Sequence, residues 1–271
     1  MPSGRLSGLS ILIVGGTAGI GLSAARACLR EGSNLTVVGR SDEYLKHAIS
    51  ELGPKCRILT SDAADPAAAE QAVAEAITAF GQLDGVFHVA GGSGRRFGDG
   101  PLDEVTNEGW DYTVNANLTS LFYTNRAVVQ HFVKAGRGGS VLNISSVLAF
   151  SPSPSHFATH AYAAAKAGVI GLTKACASYY AAQNIRFNVL APSLVNTPAS
   201  SRASSNPQIA EFLQKKQPLD GGRIGQPEDL DGAILYFLSS ESRFVTGQVL
   251  AVDGGWCSSD PAFAGSRGLK N

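Results

Sequence analysis

What most constrains the fold of this chain is an alternation that runs almost its whole length. Short apolar runs at 9–14, 35–38, 57–60, 83–90, 141–145, 185–190 and 248–252 alternate with longer stretches at helical spacing. A short run that is apolar throughout suits a strand covered on both faces, whereas a half-solvated strand would alternate. Helices are expected at 19–31, 42–52, 66–80, about 108–135, about 162–183 and 227–238. Gly32 stops the first, and Pro66 and Pro227 suit first-turn positions. Strand–helix alternation with right-handed crossovers gives a parallel, doubly wound α/β sheet with helices on both faces. The segments 91–100 and 150–160 read as loops. Residues 196–220 read as a polar, proline-punctuated cap with a helix near 207–216, and the tail from 258 as partly disordered. Neither an internal repeat nor a low-complexity linker divides the chain, so residues 1–271 read as one domain.

Charge and cysteine usage narrow the function. Lys plus Arg and Asp plus Glu both number 22, so no net field favours nucleic acid or an anionic membrane. Cys28, Cys56, Cys176 and Cys257 are far apart and form no CxxC pair. That spacing argues against a metal site or a disulfide framework and suits reduced thiols in a cytoplasmic protein. The apolar run near the N-terminus ends at two glycines, too soon for a signal sequence or a membrane span.

The first run leads into Gly15-Gly16-Thr17-Ala18-Gly19-Ile20-Gly21. Glycines allow a tight strand-to-helix turn and a close backbone approach to a diphosphate, which then sits at the positive end of the helix. The stretch from Gly19 to Ala24 also matches G-x-G-x-x-A, but the strand ends too early for that register, so Gly15 is the first functional glycine. A glycine-capped turn without a ligand would have the same composition. Cofactor choice falls at the end of the second strand, where an acid binds a ribose 2′-hydroxyl and an arginine accommodates a 2′-phosphate. Here the chain has Gly39-Arg40-Ser41, with no carboxylate, which favours NADP(H) and leaves NAD(H) as the alternative. A basic residue inside the glycine turn is missing, and Arg40 could equally be a solvated loop charge.

Further along, Tyr162 and Lys166 lie four apart and share a helix face. An ammonium beside a phenol favours the phenolate and moves a pKa of about 10 toward useful acid–base chemistry. A solvated helix face would present the same pair.

Taken in order, these pieces resemble the single-domain form of the short-chain dehydrogenase/reductase family. The resemblance rests on Gly15-x-x-x-Gly19-Ile20-Gly21, Asp62, His88-Val89-Ala90-Gly91, Asn117-Leu118-Thr119, Ser145-Ser146, Tyr162-x-x-x-Lys166, Pro192 with Thr197, and Val252-Asp253-Gly254-Gly255. It implies a Rossmann-type sheet of seven strands in the order 3-2-1-4-5-6-7. It also implies a catalytic set of Asn117, Ser146, Tyr162 and Lys166. Asn117 follows Trp110 by seven positions, as in the family, and Asn115 is its competitor. In the family this asparagine kinks its helix and holds a water that relays protons to the lysine. Ser146, the second serine of its pair, is preferred over Ser145.

The cofactor contacts implied by the resemblance are Gly15, Thr17, Gly19, Ile20 and Gly21 at the diphosphate, Arg40 and Ser41 at the 2′-position, and Asp62 and Ala63 at the adenine. Ala90, Gly91, Tyr162, Lys166, Pro192, Val195 and Thr197 would complete the cofactor site, with Lys166 on the nicotinamide ribose and Val195 and Thr197 on the carboxamide. A homo-oligomer, tetramer or dimer, is implied as well.

Departures from the family pattern mark where this chain is its own. Ser146 precedes Tyr162 by sixteen positions, about three more than is usual, which lengthens the loop at 151–159. Leu148, His156 and Phe157 join Ser146 as candidate substrate contacts, although His156 and Phe157 could equally be surface residues. His88 replaces a family asparagine and reads as a hydrogen-bonded structural histidine; Ser193 replaces a glycine after Pro192. Arg95 and Arg96 could place a guanidinium near a substrate carboxylate or form a solvated basic loop. The implied chemistry is hydride transfer between a nicotinamide and a small or medium ketone or secondary alcohol, with Tyr162 as general acid or base. The alternatives are an NAD-dependent dehydrogenase of the same family, a non-redox relative, or a nucleotide-sensing protein.

Overall fold

The computed structural model describes residues 4–260. Its first half runs β1 (Ser10–Val14), α1 (Gly19–Arg30), β2 (Asn34–Gly39), α2 (Asp42–Leu52), β3 (Cys56–Thr60), α3 (Pro66–Phe80) and β4 (Gly85–His88). The second half continues with α4 (Asn107–Val114), α5 (Ser120–Ala135), β5 (Gly139–Ile144), α6 (Pro154–Phe157), α7 (His160–Tyr180) and β6 (Ile185–Pro192). The short helix α8 (Ser201–Ser204), α9 (Pro207–Lys216), α10 (Asp231–Leu238) and β7 (Val249–Val252) complete it. All seven strands are parallel, in the order β3-β2-β1-β4-β5-β6-β7.

The apolar runs are continuous because each strand feeds two cores. Along β1, Ile11 and Ile13 pack with α1 and α10 on one face, joined by Phe87, Leu142 and Leu190 from the neighbouring strands. Leu12 and Val14 point the other way, toward the alanines of α3 and toward Val128 and Phe132 of α5. Period-two alternation therefore sorts residues between two buried layers rather than between core and water.

Strand order reverses between β1 and β4, so the chain diverges there and leaves a crevice beyond the strand ends. Amides from both sides close on that point. Gly15 and Gly16 donate to the Val38 carbonyl at 2.9 and 3.2 Å, and Val89 and Ala90 donate to that of Val14 at 2.9 and 2.8 Å. This second pair ends β4 at His88, two residues short of the expected 83–90.

Two other departures have local causes. The helix expected over 108–135 is interrupted by a π-helical turn at Asn115–Thr119. Thr113 Oγ1 donates to the Gly109 carbonyl, Asn117 Nδ2 to that of Thr113 and Ser120 Oγ to that of Ala116, so side chains bond to the helix's own carbonyls through this segment. The loop at 150–160 contains the single turn α6, with Pro154 in its first turn. The cap helix forms at α9, capped by Asn206 Oδ1, which accepts from Gln208 N at 2.9 Å. Most of the tail expected to be partly disordered, 261–271, lies outside the described residues.

Candidate active site

The glycine turn fits a nucleotide through its backbone. Gly15 has φ +92°, and a Cβ on it would come within 2.6 Å of the Ala90 amide, so only glycine suits the turn. A Cβ on Gly21 would strike the Gly15 carbonyl, which seats α1 directly against the turn. Ala18 at the N-cap of α1 offers no side-chain acceptor, so no cap competes for the first-turn amides. Thr17 is buried against Gly39, where any side chain would collide with it. Gly39 and Thr17 are thus a matched pair, and the absence of an acid at position 39 has a steric reason. These residues form a cradle that a nicotinamide dinucleotide fits.

Beyond Gly39, the exposed Arg40 guanidinium is shared. Asp62 pairs with it at 3.2 Å, and the Tyr112 hydroxyl and then Asp62 raise its pKa against the opposing effect of burial. Ser41 sits at the N-cap of α2 without a side-chain capping bond, while Asp42 and Glu43 occupy the first turn. Asp62 also accepts from the Ala64 amide at 2.9 Å, and Ala63 packs against the α3 side of the core.

On the other side of the crevice, β5 delivers Ser145 and Ser146, and α7 delivers Tyr162 and Lys166. The two serines do different work. Ser145 is buried and donates to the Lys166 carbonyl at 2.7 Å, tying strand to helix. Ser146 accepts from the Leu148 amide at 3.2 Å and lies within hydrogen-bonding reach of the Tyr162 phenol. Lys166 is 2% exposed; its Nζ donates to the Ile144 carbonyl at 3.2 Å and stands 5.6 Å from the centre of the Tyr162 ring.

The electrostatics correct the expectation that Lys166 would lower the phenol pKa. Burial dominates both groups. It pushes Tyr162 up to about 12, opposed by the Ser146 hydroxyl, and pulls Lys166 down to about 7. Tyr162 is therefore a neutral phenol at physiological pH, a proton donor in waiting.

Asn117 is fully buried inside the π turn, whereas Asn115 is exposed. The Asn117 side chain holds Gly92 from both sides, accepting from its amide at 3.0 Å and donating to its carbonyl at 2.9 Å. Gly91, at φ +143°, has no room for a Cβ beside Asn117 Oδ1. His88 is buried between Thr124 Oγ1 at 3.0 Å and Ser120 Oγ at 3.4 Å. Burial first, then the Lys166 charge, lower its pKa to about 3 against a backbone bond to Ala90, so the ring is neutral.

Pro192 ends β6, and the buried Val195 bridges to Gly225. Thr197 lies against Gly19 and forms a capping box with Ser200. The rim candidates sit elsewhere. The Phe157 ring packs on Phe212 and Trp256, and Leu148 joins the same cluster, while the His156 ring lies 5.2 Å from Phe212.

Two residues escaped the sequence reading. Asp99 is buried, and its carboxylate accepts from the amides of Ala161 and Tyr162 at 3.0 and 3.1 Å. It caps α7 from a distant loop, since Thr159 at the N-cap makes no side-chain cap. Its signal was a carboxylate set between two glycines. Trp256, 1% exposed, donates from Nε1 to the Ser151 carbonyl at 3.1 Å and anchors the lengthened loop.

Comparison with known proteins agrees with this geometry. Residues 15–257 match a family model described as enoyl-(acyl carrier protein) reductase. The chain is 34% identical over 254 residues to a 3-oxoacyl-(acyl-carrier-protein) reductase FabG of Thermotoga maritima, covering 93% of this chain and 98% of that one. It is 31% identical over 255 residues to the 2,5-dichloro-2,5-cyclohexadiene-1,4-diol dehydrogenase LinX of Sphingobium indicum, covering 93% and 97%. Among solved structures, a short-chain type dehydrogenase/reductase from Mycobacterium ulcerans superposes with a TM-score of 0.85 at 30% identity, covering 94% of this chain and 91% of that one.

Proposed function

The chain belongs to the short-chain dehydrogenase/reductase family and is an NAD(P)-dependent oxidoreductase, and on that premise we propose that it reduces a small or medium ketone with NADPH, with Tyr162 as the proton donor. One observation carries this reading. A neutral phenol within reach of the Ser146 hydroxyl and beside Lys166 lies at the sheet end served by the glycine turn.

The nicotinamide, when bound, supplies the hydride. Everything else falls to the chain. Gly15, Thr17, Gly19, Ile20 and Gly21 would hold the diphosphate, Asp62 and Ala63 would border the adenine, and Val195 and Thr197 would contact the carboxamide. Ala90, Gly91 and Pro192 would complete the cofactor site. Ser146 donates a hydrogen bond to the substrate oxygen and stabilises charge as it develops there. Tyr162 gives that oxygen its proton, a downhill transfer because an alkoxide is far more basic than a phenolate. Lys166, titrating near neutrality, is suited to returning a proton to the phenol and to binding the nicotinamide ribose.

NADPH is favoured by Arg40 and the uncapped Ser41 hydroxyl. The competing NADH reading rests on the pairing of Arg40 with Asp62, which neutralises part of the charge a 2′-phosphate would meet. The outer faces of α5 and α7 expose Phe122, Val133 and Tyr179, and we read them as a subunit contact of a homo-oligomer. No helix among the described residues is long and apolar enough to cross a membrane. The test is a panel of ketones offered with NADPH and NADH side by side. Nicotinamide oxidation with at least one ketone, faster with NADPH, is expected. Tight NADPH binding without turnover of any ketone would favour a nucleotide-sensing protein instead.

A further inference from the structure

Three segments far apart in sequence meet in front of α7. They are the turn at Arg95–Phe97, the lengthened loop around α6, and the start of the cap at α8. Between them lies a cavity of about 370 Å³, lined by Arg95, His156, Arg202 and Asn206, with Glu104 also on its wall. That volume is within the range of small-molecule sites.

The two guanidiniums in this cavity are under-partnered. Arg95 is half-buried and spends one N–H on the His156 carbonyl at 3.3 Å; its other side-chain N–H groups have no acceptor among the described residues. Arg202 is exposed, and its side chain makes no hydrogen bond or ion pair among the described residues. Glu104 pairs with neither. Asp99, the one carboxylate that acts on Arg95, is already held by the amides of Ala161 and Tyr162. Burial first, and then the charge of Arg202, lower the Arg95 pKa. Two cations lining one cavity, with its Glu104 carboxylate paired to neither, destabilise each other, and an anion seated between them relieves both.

The cavity adjoins the start of α7, the helix that carries Tyr162 and Lys166. Its Arg95 lies on the same loop as Asp99, which grips the Tyr162 amide, and its α6 wall ends just before α7 begins. We propose that Arg95 and Arg202 bind the anionic end, a carboxylate or a phosphate monoester, of a ketone whose carbonyl reaches Ser146 and Tyr162. The assignment rests on the reductase reading above and narrows its substrate class to anionic ketones.

Two measurements test it. The first needs no turnover: the thermal midpoint is followed with glutarate and with inorganic phosphate, in wild type, Arg202→Gln and Arg202→Lys, at saturating NADPH. A rise with one anion is expected that disappears in Arg202→Gln and partly returns in Arg202→Lys. The second compares kcat/KM for levulinate against methyl levulinate, and for dihydroxyacetone phosphate against dihydroxyacetone. The anionic member of one pair should be favoured by about ten- to a hundredfold, the range expected for charge-assisted hydrogen bonds, and that pair identifies the anion. In Arg202→Gln the ratio should fall toward one. Turnover of the neutral ketones with no anion preference and no Arg202-dependent thermal shift would overturn the inference and leave the reductase reading standing. An Arg202-dependent shift without turnover of any ketone would overturn the reductase reading and the substrate assignment with it.

Discussion

The glycine-turn cradle and the proposed substrate rim lie at the same end of one sheet, yet they are specified in opposite ways. The cradle is local. Gly15, Gly19 and Gly21 fall within one turn, and each is demanded by backbone that side chains could not follow. The rim is assembled from a distance. Phe157, Phe212 and Trp256 come from three segments, and both phenylalanines meet Trp256 edge to face with centroids 5.6 Å apart. Chemistry that needs close backbone approach is written in short motifs, whereas specificity is left to side chains whose partners are remote. The first can stay fixed while the second changes.

The difference can be broken from either side. The largest expected effect on cofactor binding is Gly15→Val, which forces a branched side chain onto the Ala90 backbone. NADPH affinity, followed by nicotinamide fluorescence, should fall by more than about a hundredfold, equivalent to about 3 kcal/mol. The anion-dependent thermal shift of the rim, measured without cofactor, should survive. Loss of both together would mean that the two regions are not separable.

Trp256→Ala attacks the other side. Removing a fully buried tryptophan should cost about 3–5 kcal/mol in denaturant unfolding. It also releases the Ser151 carbonyl, so KM for an accepted ketone should rise while NADPH affinity changes by less than about threefold. A larger loss of NADPH binding would show that the aromatic cluster supports the cradle too.

Between the two regions stands Lys166, buried without a carboxylate among its hydrogen-bond partners. Its folded pKa, about 7, lies below the ordinary 10.5, so the unfolded chain binds more protons between those values. Its penalty to folding is therefore full below about pH 7 and fades as the pH rises toward 10.5. Lys166→Met should be more stable than wild type at pH 6, by a few kcal/mol, and the gain should shrink by pH 9. A gain independent of pH would show that the effect is packing rather than charge. The smallest effect is expected of Arg40→Asp: about a tenfold shift in kcat/KM from NADPH toward NADH, because Asp62 and Tyr112 already share that guanidinium. An unchanged ratio would remove Arg40 from phosphate recognition.

Much of the frame was legible because it is periodic. Apolar runs marked all seven strands to within two residues at either end; at β4 the paired amides on Val14 turn the chain out early. The π turn was not visible as such, since it arises when Asn117, Thr113 and Ser120 bond to their own helix's carbonyls. Spacing put Tyr162 and Lys166 on one helix face, and the family resemblance alone pointed to Ser146; their protonation was out of reach, because burial is a property of the packed chain. Asp99 was hidden for the same reason as the rim. Its flanking glycines mark a turn, but its partners lie 62 and 63 residues away, so the turn does not say which helix the carboxylate caps.

The claim on which the account turns is that Tyr162 donates the proton from a site the cofactor reaches independently. Tyr162→Phe removes only the phenol oxygen and should leave the ring's packing and NADPH affinity within about threefold of wild type. Its kcat for any ketone the wild type accepts should fall by at least about 10²- to 10⁴-fold, the range for losing a general acid. Turnover within tenfold of wild type, at unchanged NADPH affinity, would contradict the assignment of Tyr162 and the mechanism built on it.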